Sequence, residues 1–304
     1  MAAMEMRADL DGEVREFLMS RRAKLTPQQV GLTAGRNRRV PGLRRTEVAT
    51  LAGVSVEYYA RLERGNLAGV SDDVLDALSR ALQLDNAERA HLYDLARGAS
   101  SKPVTRKRAQ DEHVRASLQT TLDAITAAPA IVNNGRGDLM AANALARALY
   151  SEMYVQQRQR PVNHARFVFL DPRATTFYRD WTKVADDTVA ILRTQAGRDP
   201  YDRALSDLVG ELSTQSDEFR TRWAAHNVRL HYTGSKRVRH PAVGDIDLTF
   251  EAFDISADSG LTLVIYTAQP GSTHEDALIL LASWAATQIS PGEPAGERNA
   301  SNPS

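Results

Sequence analysis

Arginines are concentrated near the N-terminus of this sequence, where they could bind a polyanion. The segment from Arg15 to Gly65 contains eleven basic and four acidic side chains, a net charge of +7, although the formal net charge of all 304 residues is zero. Guanidinium groups form paired hydrogen bonds with phosphates and with the edge of guanine. The segment is therefore a candidate surface for a nucleic acid, while the neutral chain as a whole does not favour nonspecific binding.

Aromatic residues are concentrated in the second half of the sequence, where they could line a cavity for an apolar molecule. Ligand cavities are mostly apolar and contain a few polar groups. Any one of these aromatic residues, taken singly, is more often a core residue than part of a cavity wall. The candidate lining residues are Phe167, Phe177, Trp181, Trp223, Tyr232, Phe250 and Tyr266.

Residues of the types used in metal binding and catalysis do not form a convergent set. His226, His231 and His240 fall on predicted strands and a turn that do not bring them to one face, so we predict no metal site. The chain has no cysteine, which excludes thiolate ligands and nucleophiles. We therefore predict neither a cofactor nor enzymatic activity. The basic run from Lys236 to Arg239 is either a solvated hairpin or a clamp for the anionic head group of a ligand.

The stretch from Leu43 to Gly65 predicts two short helices joined by a tight turn. Gly53 is placed at the turn, where the lack of a side chain permits backbone conformations that other residues resist. Apolar residues from both helices can form one buried seam, namely Val48, Leu51, Val54, Tyr59 and Leu62. This arrangement is a helix-turn-helix, and the alternative is an ordinary helical hairpin whose charges are solvated.

The surrounding elements predict a small all-α domain over residues 10–98. An amphipathic helix begins near Asp11, and Ser71 and Asp85 are the predicted N-caps of two further helices. Residues 99–110 are small, polar and basic, and they form either a solvated hinge or an added phosphate-contacting arm. We expect disorder in residues 1–9 and in the tail 289–304.

Residues 111–288 predict an α+β domain. Two short strands surround the turn in PAIVNNGRGDLMAA, helical patterns dominate 175–226, and strands are predicted at 228–240, 244–255 and 261–268. The second of these alternates, with Ile246, Leu248 and Phe250 on one face. The order of elements indicates antiparallel strands with flanking helices.

Several segments resemble a known family of bacterial regulators. The series Glu47-Val48-Ala49, Ala52-Gly53-Val54-Ser55 and Arg61-Leu62-Glu63-Arg64-Gly65 resembles the helix-turn-helix of the Cro/phage-repressor-like (XRE) class. The segments FLDPRATTFYRDW, GRDPYDRALSDLVGEL, HNVRLHYTGSKRVRHPAVGDIDL and VIYTAQPGS resemble the actinobacterial subgroup that carries an MmyB-like ligand-binding domain. Together these segments cover nearly all of residues 10–285.

The XRE resemblance implies a set of DNA-contacting residues. Ser55 would begin a recognition helix that enters the major groove, while Tyr59 and Leu62 face the core. The residues implied to face bases or nearby phosphates are Ser55, Val56, Glu57, Tyr58 and Arg61. Arg45 and Thr46 would lie beside the DNA backbone. Arg38, Arg39 and Arg44 belong to an arginine-rich insertion that either adds phosphate contacts or braces the domain.

The MmyB resemblance implies a PAS-like domain with a five-stranded antiparallel sheet and an apolar ligand such as a fatty acid. We therefore expect a cytoplasmic, homodimeric transcription regulator that binds a palindromic double-stranded operator and senses this ligand. Two alternatives stay open: a C-terminal domain that serves only dimerisation or a protein partner, and an enzyme that acts on a bound lipid. No secretory signal is recognisable, and no apolar run reaches the about 18 residues that span a bilayer.

Overall fold

The computed structural model describes residues 2–33, 40–100, 114–156, 161–225 and 233–289. Its N-terminal part is helical, as predicted. The helices are α1 (Ala2–Lys24), α2 (Arg45–Leu51), α3 (Val56–Leu62), α4 (Asp72–Ala81) and α5 (Asn86–Ser100), and a short 3-10 turn lies at Gln28–Val30. Because α1 begins at Ala2, it extends into the segment 1–9, for which the sequence predicts disorder.

One apolar core holds the helical domain together. Phe17 of α1, Tyr59 and Leu62 of α3, and Leu78 of α4 have no exposed surface, and they belong to a single cluster of contacting side chains. The predicted seam is present with one exception, because Leu51 is 36% exposed at the end of α2. Removing this apolar surface from water stabilises the position of α3 against the other helices.

The C-terminal part combines helices with one sheet. The elements on the N-terminal side of the domain are α6 (Ala116–Ala124), β1 (Ala130–Asn134), β2 (Asp138–Ala142), α7 (Ala144–Leu149), α8 (Ser151–Gln156), β3 (Val162–Asn163), α9 (His164–Leu170) and α10 (Ala174–Phe177). They are followed by α11 (Trp181–Arg198), α12 (Arg203–Gln215), α13 (Asp217–Ala224), β4 (Thr233–His240), β5 (Gly244–Asp254), β6 (Leu261–Thr267) and α14 (Thr273–Ile289).

The sheet has six strands in the described residues, in the order β3-β2-β1-β6-β5-β4, and all neighbouring strands are antiparallel. The expectation of five strands is therefore wrong. The additional strand, β3, pairs only Val162 with Leu139 and Asn163 with Asp138. A strand of two residues is too short to produce a readable alternation of apolar and polar side chains.

The two faces of the sheet are covered by different helices. On one face, Ile246, Leu248 and Phe250 of β5 are buried in a cluster that includes α7, α10 and α14, which confirms the alternation predicted for this strand. On the other face, Leu122 of α6 packs against Val132 of β1. The part of the predicted linker from 101 to 110, and the tail from 290 to 304, lie outside the described residues.

The helical domain and the α+β domain are in direct contact. Helix α11 packs against α5, and its buried Arg193 forms an ion pair with Glu13 of α1. Gly98 at the end of α5 is also buried beside Pro200, which follows α11. The long helix α11 is therefore a structural part of both domains.

Candidate functional site

The turn between α2 and α3 has the geometry expected of a helix-turn-helix. Gly53 has φ of +66°, a conformation that side chains with a Cβ rarely adopt. The Val54 N–H then donates to the Ala49 carbonyl at 3.0 Å. Ser55 caps α3, because its Oγ accepts from the Tyr58 N–H at 3.0 Å. The two short helices are thus held at a fixed angle by their turn and their caps.

A buried carboxylate ties α3 to α1 and α2 from behind. Glu63, which follows α3, is 2% exposed. Its Oε1 accepts from Arg22 of α1 at 2.6 Å, and its Oε2 accepts from Arg45 at the start of α2. Hydrogen bonds of this charged kind are about twice as strong as neutral ones. The side chain of Arg45 still keeps 53% of its surface exposed.

The opposite face of α3 points to solvent. Ser55, Glu57 and Arg61 are exposed, while Val56 and Tyr58 are half-buried. The Arg61 guanidinium lies 4.8 Å from the centre of the Tyr58 ring, an arrangement that holds the cation against the helix surface. A face of this kind can be presented to a groove without unfolding any part of the domain.

The other candidate DNA-contacting residues lie beside this face or outside the described residues. Arg44, Arg45 and Thr46 are exposed at the beginning of α2. The Arg44 N–H donates to the Glu47 carboxylate at 2.6 Å, which satisfies one N–H at the start of the helix. Arg38 and Arg39 lie outside the described residues. The individual DNA contacts of all these residues stay predictions.

A cavity of about 1180 Å³ lies between the sheet and α11. Its size is large for a small-molecule site in a protein. The apolar part of its wall comes from three places. The sheet contributes Ile131, Leu139, Phe250 and Val264, α11 contributes Val184 and Ile191, and the remaining two residues are Met153 of α8 and Tyr150, which lies between α7 and α8. At the far end the wall is polar and includes Asn134, Gln195, Arg198, Asp202 and Asp254.

Lys236 is a cationic group inside this cavity. It extends from β4 into the wall, and its ammonium lies 5.4 Å from the centre of the Tyr178 ring. Burial lowers its pKa to about 8, although the charge of Asp187 opposes this shift. Asp187 itself binds Lys183 at 2.8 Å. Among the described residues, none forms an ion pair with Lys236.

The neighbouring arginines of β4 point the other way. Arg237 pairs with Asp180 at 3.2 Å, and Arg239 pairs with Asp245 at 2.8 Å. Because side chains alternate along a strand, Lys236 faces the cavity while Arg239 faces solvent. The basic run therefore divides: one residue could hold an anion inside the domain, and the others form surface ion pairs.

Two tyrosines and a histidine add polar groups to the interior. The Tyr150 hydroxyl donates to the Tyr266 hydroxyl at 2.9 Å, and both residues line the cavity. Burial raises the pKa of Tyr266 to about 12, so both hydroxyls remain protonated near neutral pH. His164 Nε2 lies 2.9 Å from the Tyr178 hydroxyl. These groups can form hydrogen bonds, but they carry no charge that would compensate Lys236.

The predicted lining residues are divided between the cavity and the core. Phe250 and Tyr266 line the cavity. Phe167 and Phe177 are buried among other core side chains, and neither belongs to the cavity wall. Trp181 donates from Nε1 to the Val168 carbonyl at 3.0 Å.

The last two candidates lie elsewhere. Trp223 stacks on Phe219 at 5.5 Å, away from the cavity wall, and Tyr232 lies outside the described residues. Sequence reasoning did not name Ile131, Tyr150 or Val264 as lining residues. Their strand and helix patterns indicate burial but not which buried surface they reach.

The described residues contain no group of three or more His, Asp or Glu side chains that could hold a metal ion. His240 is buried, and its Nε2 lies 3.0 Å from the Ala148 carbonyl. Burial lowers its pKa. His226 and His231 lie outside the described residues. None of the described helices is both long and apolar enough to cross a membrane.

Comparison with known proteins agrees with both parts of the fold. Residues 18–92 match a helix-turn-helix domain family. Residues 114–281, more than half of the chain, match the MmyB-like transcription regulator ligand binding domain. A comparison with curated proteins found no match. The chain therefore belongs to the family of transcription regulators that join a DNA-binding helix-turn-helix domain to an MmyB-like ligand-binding domain.

Proposed function

We propose that this protein regulates transcription in the bacterial cytoplasm by binding a palindromic operator as a homodimer. The observation that carries the proposal is the solvent-facing side of α3, with Ser55, Glu57 and Arg61 exposed and Tyr59 buried behind them. In this proposal α3 enters the major groove, where Arg61 pairs with guanine. Arg45 and Thr46 lie beside the phosphates at the start of α2.

The dimer follows from the small size of one recognition module. A single helix-turn-helix buries too little surface for high specificity. Two copies place their recognition helices in successive major grooves, about 34 Å apart. The operator is then a palindrome whose half-sites have this spacing.

We propose further that the C-terminal domain is PAS-like and senses a fatty-acid-like molecule. Without the two-residue β3, the sheet reduces to five antiparallel strands with helices inserted between β2 and β4, which supports this assignment. The cavity supports the ligand: its apolar wall suits an alkyl chain, and Lys236 suits a carboxylate. Both matched domains are regulatory, and we propose that the chain acts by binding rather than by catalysis.

The DNA-binding part is tested by selecting sites for the full-length protein from random-sequence duplexes and measuring the affinity for the selected site. Arg61→Ala should lower this affinity and relax the choice of one base in each half-site. Equal loss on the selected site and on random DNA would contradict the role of Arg61. The ligand-binding part is tested by native mass spectrometry of the purified dimer, in which we expect a co-purified acidic lipid.

A further inference from the structure

Helix α11 lines the cavity with one face and contacts the helical domain with another. Thr188, Ile191, Gln195 and Arg198 are on the face that lines the cavity. Arg193 lies on another side of the same helix, where it contacts α1 of the helical domain. A displacement of α11 caused by a ligand therefore acts directly on the surface that holds the helical domain.

Arg193 is the centre of the contact between the domains. It has no exposed surface, and its Nη1 forms an ion pair with Glu13 of α1. Its Nη2 donates to the Trp223 carbonyl, and its guanidinium lies 4.0 Å from the centre of the Trp223 ring. A buried arginine with partners on α1 and α13 tolerates few alternative positions, because losing one partner leaves a buried charge uncompensated.

Gly197 makes the same contact close and rigid. A Cβ atom at this position would lie 2.6 Å from the His91 ring of α5, so only glycine permits this approach. His91 is fully buried and lies edge-on to Phe17 at 5.0 Å. Tightly packed contacts of this kind switch between discrete arrangements rather than deforming gradually.

Arg198 belongs to the cavity wall and to the domain contact at once. It lines the polar end of the cavity, and its Nε lies 3.6 Å from the carboxylate of Asp94 on α5. Asp94 has a second partner, Arg97, at 2.5 Å. A ligand whose acidic end is held by Lys236 and whose chain reached this end of the cavity would displace Arg198 from Asp94, and Asp94 would keep Arg97.

The helical domain continues this connection to α3. Glu13 and Arg22 both lie on α1, and Arg22 binds Glu63 directly behind α3 at 2.6 Å. Rigid elements with polar links between them can carry coupling between distant sites. The connection therefore runs from the cavity through α11 and α1 to the surface proposed to bind DNA.

We propose that the contact of α11 with α1 and α5 is the interface through which occupancy of the cavity changes DNA affinity, and that Arg198 is the residue shared by the ligand and the helical domain. This inference rests on the proposed function, because it requires a ligand in the cavity and DNA on α3. A ligand changes DNA affinity only when it prefers one arrangement of the two domains.

The first experiment measures operator affinity of the full-length protein with and without saturating dodecanoate. For the wild type, we expect a change of about fivefold or more. Arg198→Gln should reduce the change to less than about twofold, because glutamine cannot form the ion pair with Asp94, while dodecanoate still binds through Lys236. Arg198→Lys should restore part of it. Because the Arg198 side chain is 45% exposed, these substitutions leave the core intact.

The matched control is Arg222→Gln. Like Arg198, Arg222 forms an ion pair that involves α11, here with Asp186 at 2.9 Å, but it lies on α13 and makes no described contact with the helical domain. This variant should keep the response of the wild type. An undiminished response in Arg198→Gln, or an equal loss in both variants, would overturn the inference.

A second experiment separates this inference from the proposed function. In Ile191→Trp, the larger side chain on α11 occupies part of the cavity, so the experiment needs neither a ligand nor DNA. Amide hydrogen exchange of α1 and α5 should then change relative to the wild type, and addition of Arg193→Gln should remove most of this change. If Ile191→Trp alters exchange in α1 and α5 but the wild type does not bind dodecanoate, the fatty-acid ligand is rejected and the interface is supported. Unaltered exchange in α1 and α5 of Ile191→Trp would refute the interface.

Discussion

Replacement of Lys236 by methionine should stabilise the folded protein and weaken binding of an acidic ligand. Methionine keeps most of the length of the side chain and removes only the charged end. Burial lowers the pKa of Lys236 from 10.5 to about 8, and a shift of this size corresponds to about 3 kcal/mol against the charged form. Lys236→Met should therefore increase the free energy of unfolding by up to about 3 kcal/mol at pH 7.

The pH dependence follows from the direction of this shift. Since the folded-state pKa of Lys236 is lowered, the unfolded chain binds more protons between pH 8 and 10.5. Wild-type stability therefore gains a contribution as the pH rises through this window. The advantage of Lys236→Met should shrink to about 1 kcal/mol at pH 10. Groups shared by both proteins cancel in the comparison.

Urea unfolding of both proteins at pH 7 and pH 10 measures this difference. The ligand part is measured with dodecanoate and dodecanol, which share an alkyl chain and differ in charge. Loss of the charged partner should weaken dodecanoate by roughly 30-fold or more, about 2 kcal/mol, with little effect on dodecanol. In the wild type, dodecanoate affinity should fall as the pH rises above about 8.

Two results would refute this account of Lys236. A variant that is less stable than the wild type at pH 7 would mean that the ammonium is satisfied in the folded protein. Equal losses of dodecanoate and dodecanol affinity would mean that Lys236 shapes the cavity without pairing with an acid.

Three further predictions concern the helical domain. Arg61→Ala should weaken binding to the selected operator by about 1–3 kcal/mol and relax base choice, whereas Arg39→Ala should weaken all DNA alike and flatten the salt dependence in anisotropy titrations. Gly53→Ala should cost about 1 kcal/mol in thermal unfolding, because φ is +66° and nothing lies within 4 Å of the added Cβ; its control, Gly210→Ala within α12, should stabilise by about 0.5–1 kcal/mol. Glu63→Gln should destabilise the domain by about 3 kcal/mol, because two arginines lose their shared carboxylate, and unchanged chemical unfolding would contradict this.

The sequence predicts those features that depend on short, regular patterns. The turn at Gly53 and the alternation through Ile246, Leu248 and Phe250 are local, and the structure agrees with both. The strand β3 was missed because Val162 and Asn163 pair with Leu139 and Asp138, which are distant in the sequence. Local propensity contains no information about such a partner.

The cavity was predictable only in outline. Phe177 and Phe250 are both buried aromatic residues, yet only Phe250 faces the cavity. Which buried surface a side chain reaches depends on the packing of α11 over the sheet, and no local pattern specifies that packing. Lys236 shows the same limit, because its inward direction depends on the register of β4 with β5. The buried Arg193 reads in the sequence as one more surface cation of an amphipathic helix.

Arginine has two opposite uses in this chain, and the position of the nearest carboxylate distinguishes them. Arg193 pairs with Glu13 and holds the two domains together, and Arg22 pairs with Glu63 and holds α3 in place. Arg61, by contrast, forms no ion pair with any described side chain, and its described partner is the Tyr58 ring. Because a ring face does not neutralise a guanidinium, Arg61 keeps its charge for an external anion. Counting arginines therefore locates the DNA-binding domain, whereas assigning the carboxylates separates the arginines that brace it from those, such as Arg61, that are candidates for DNA contacts.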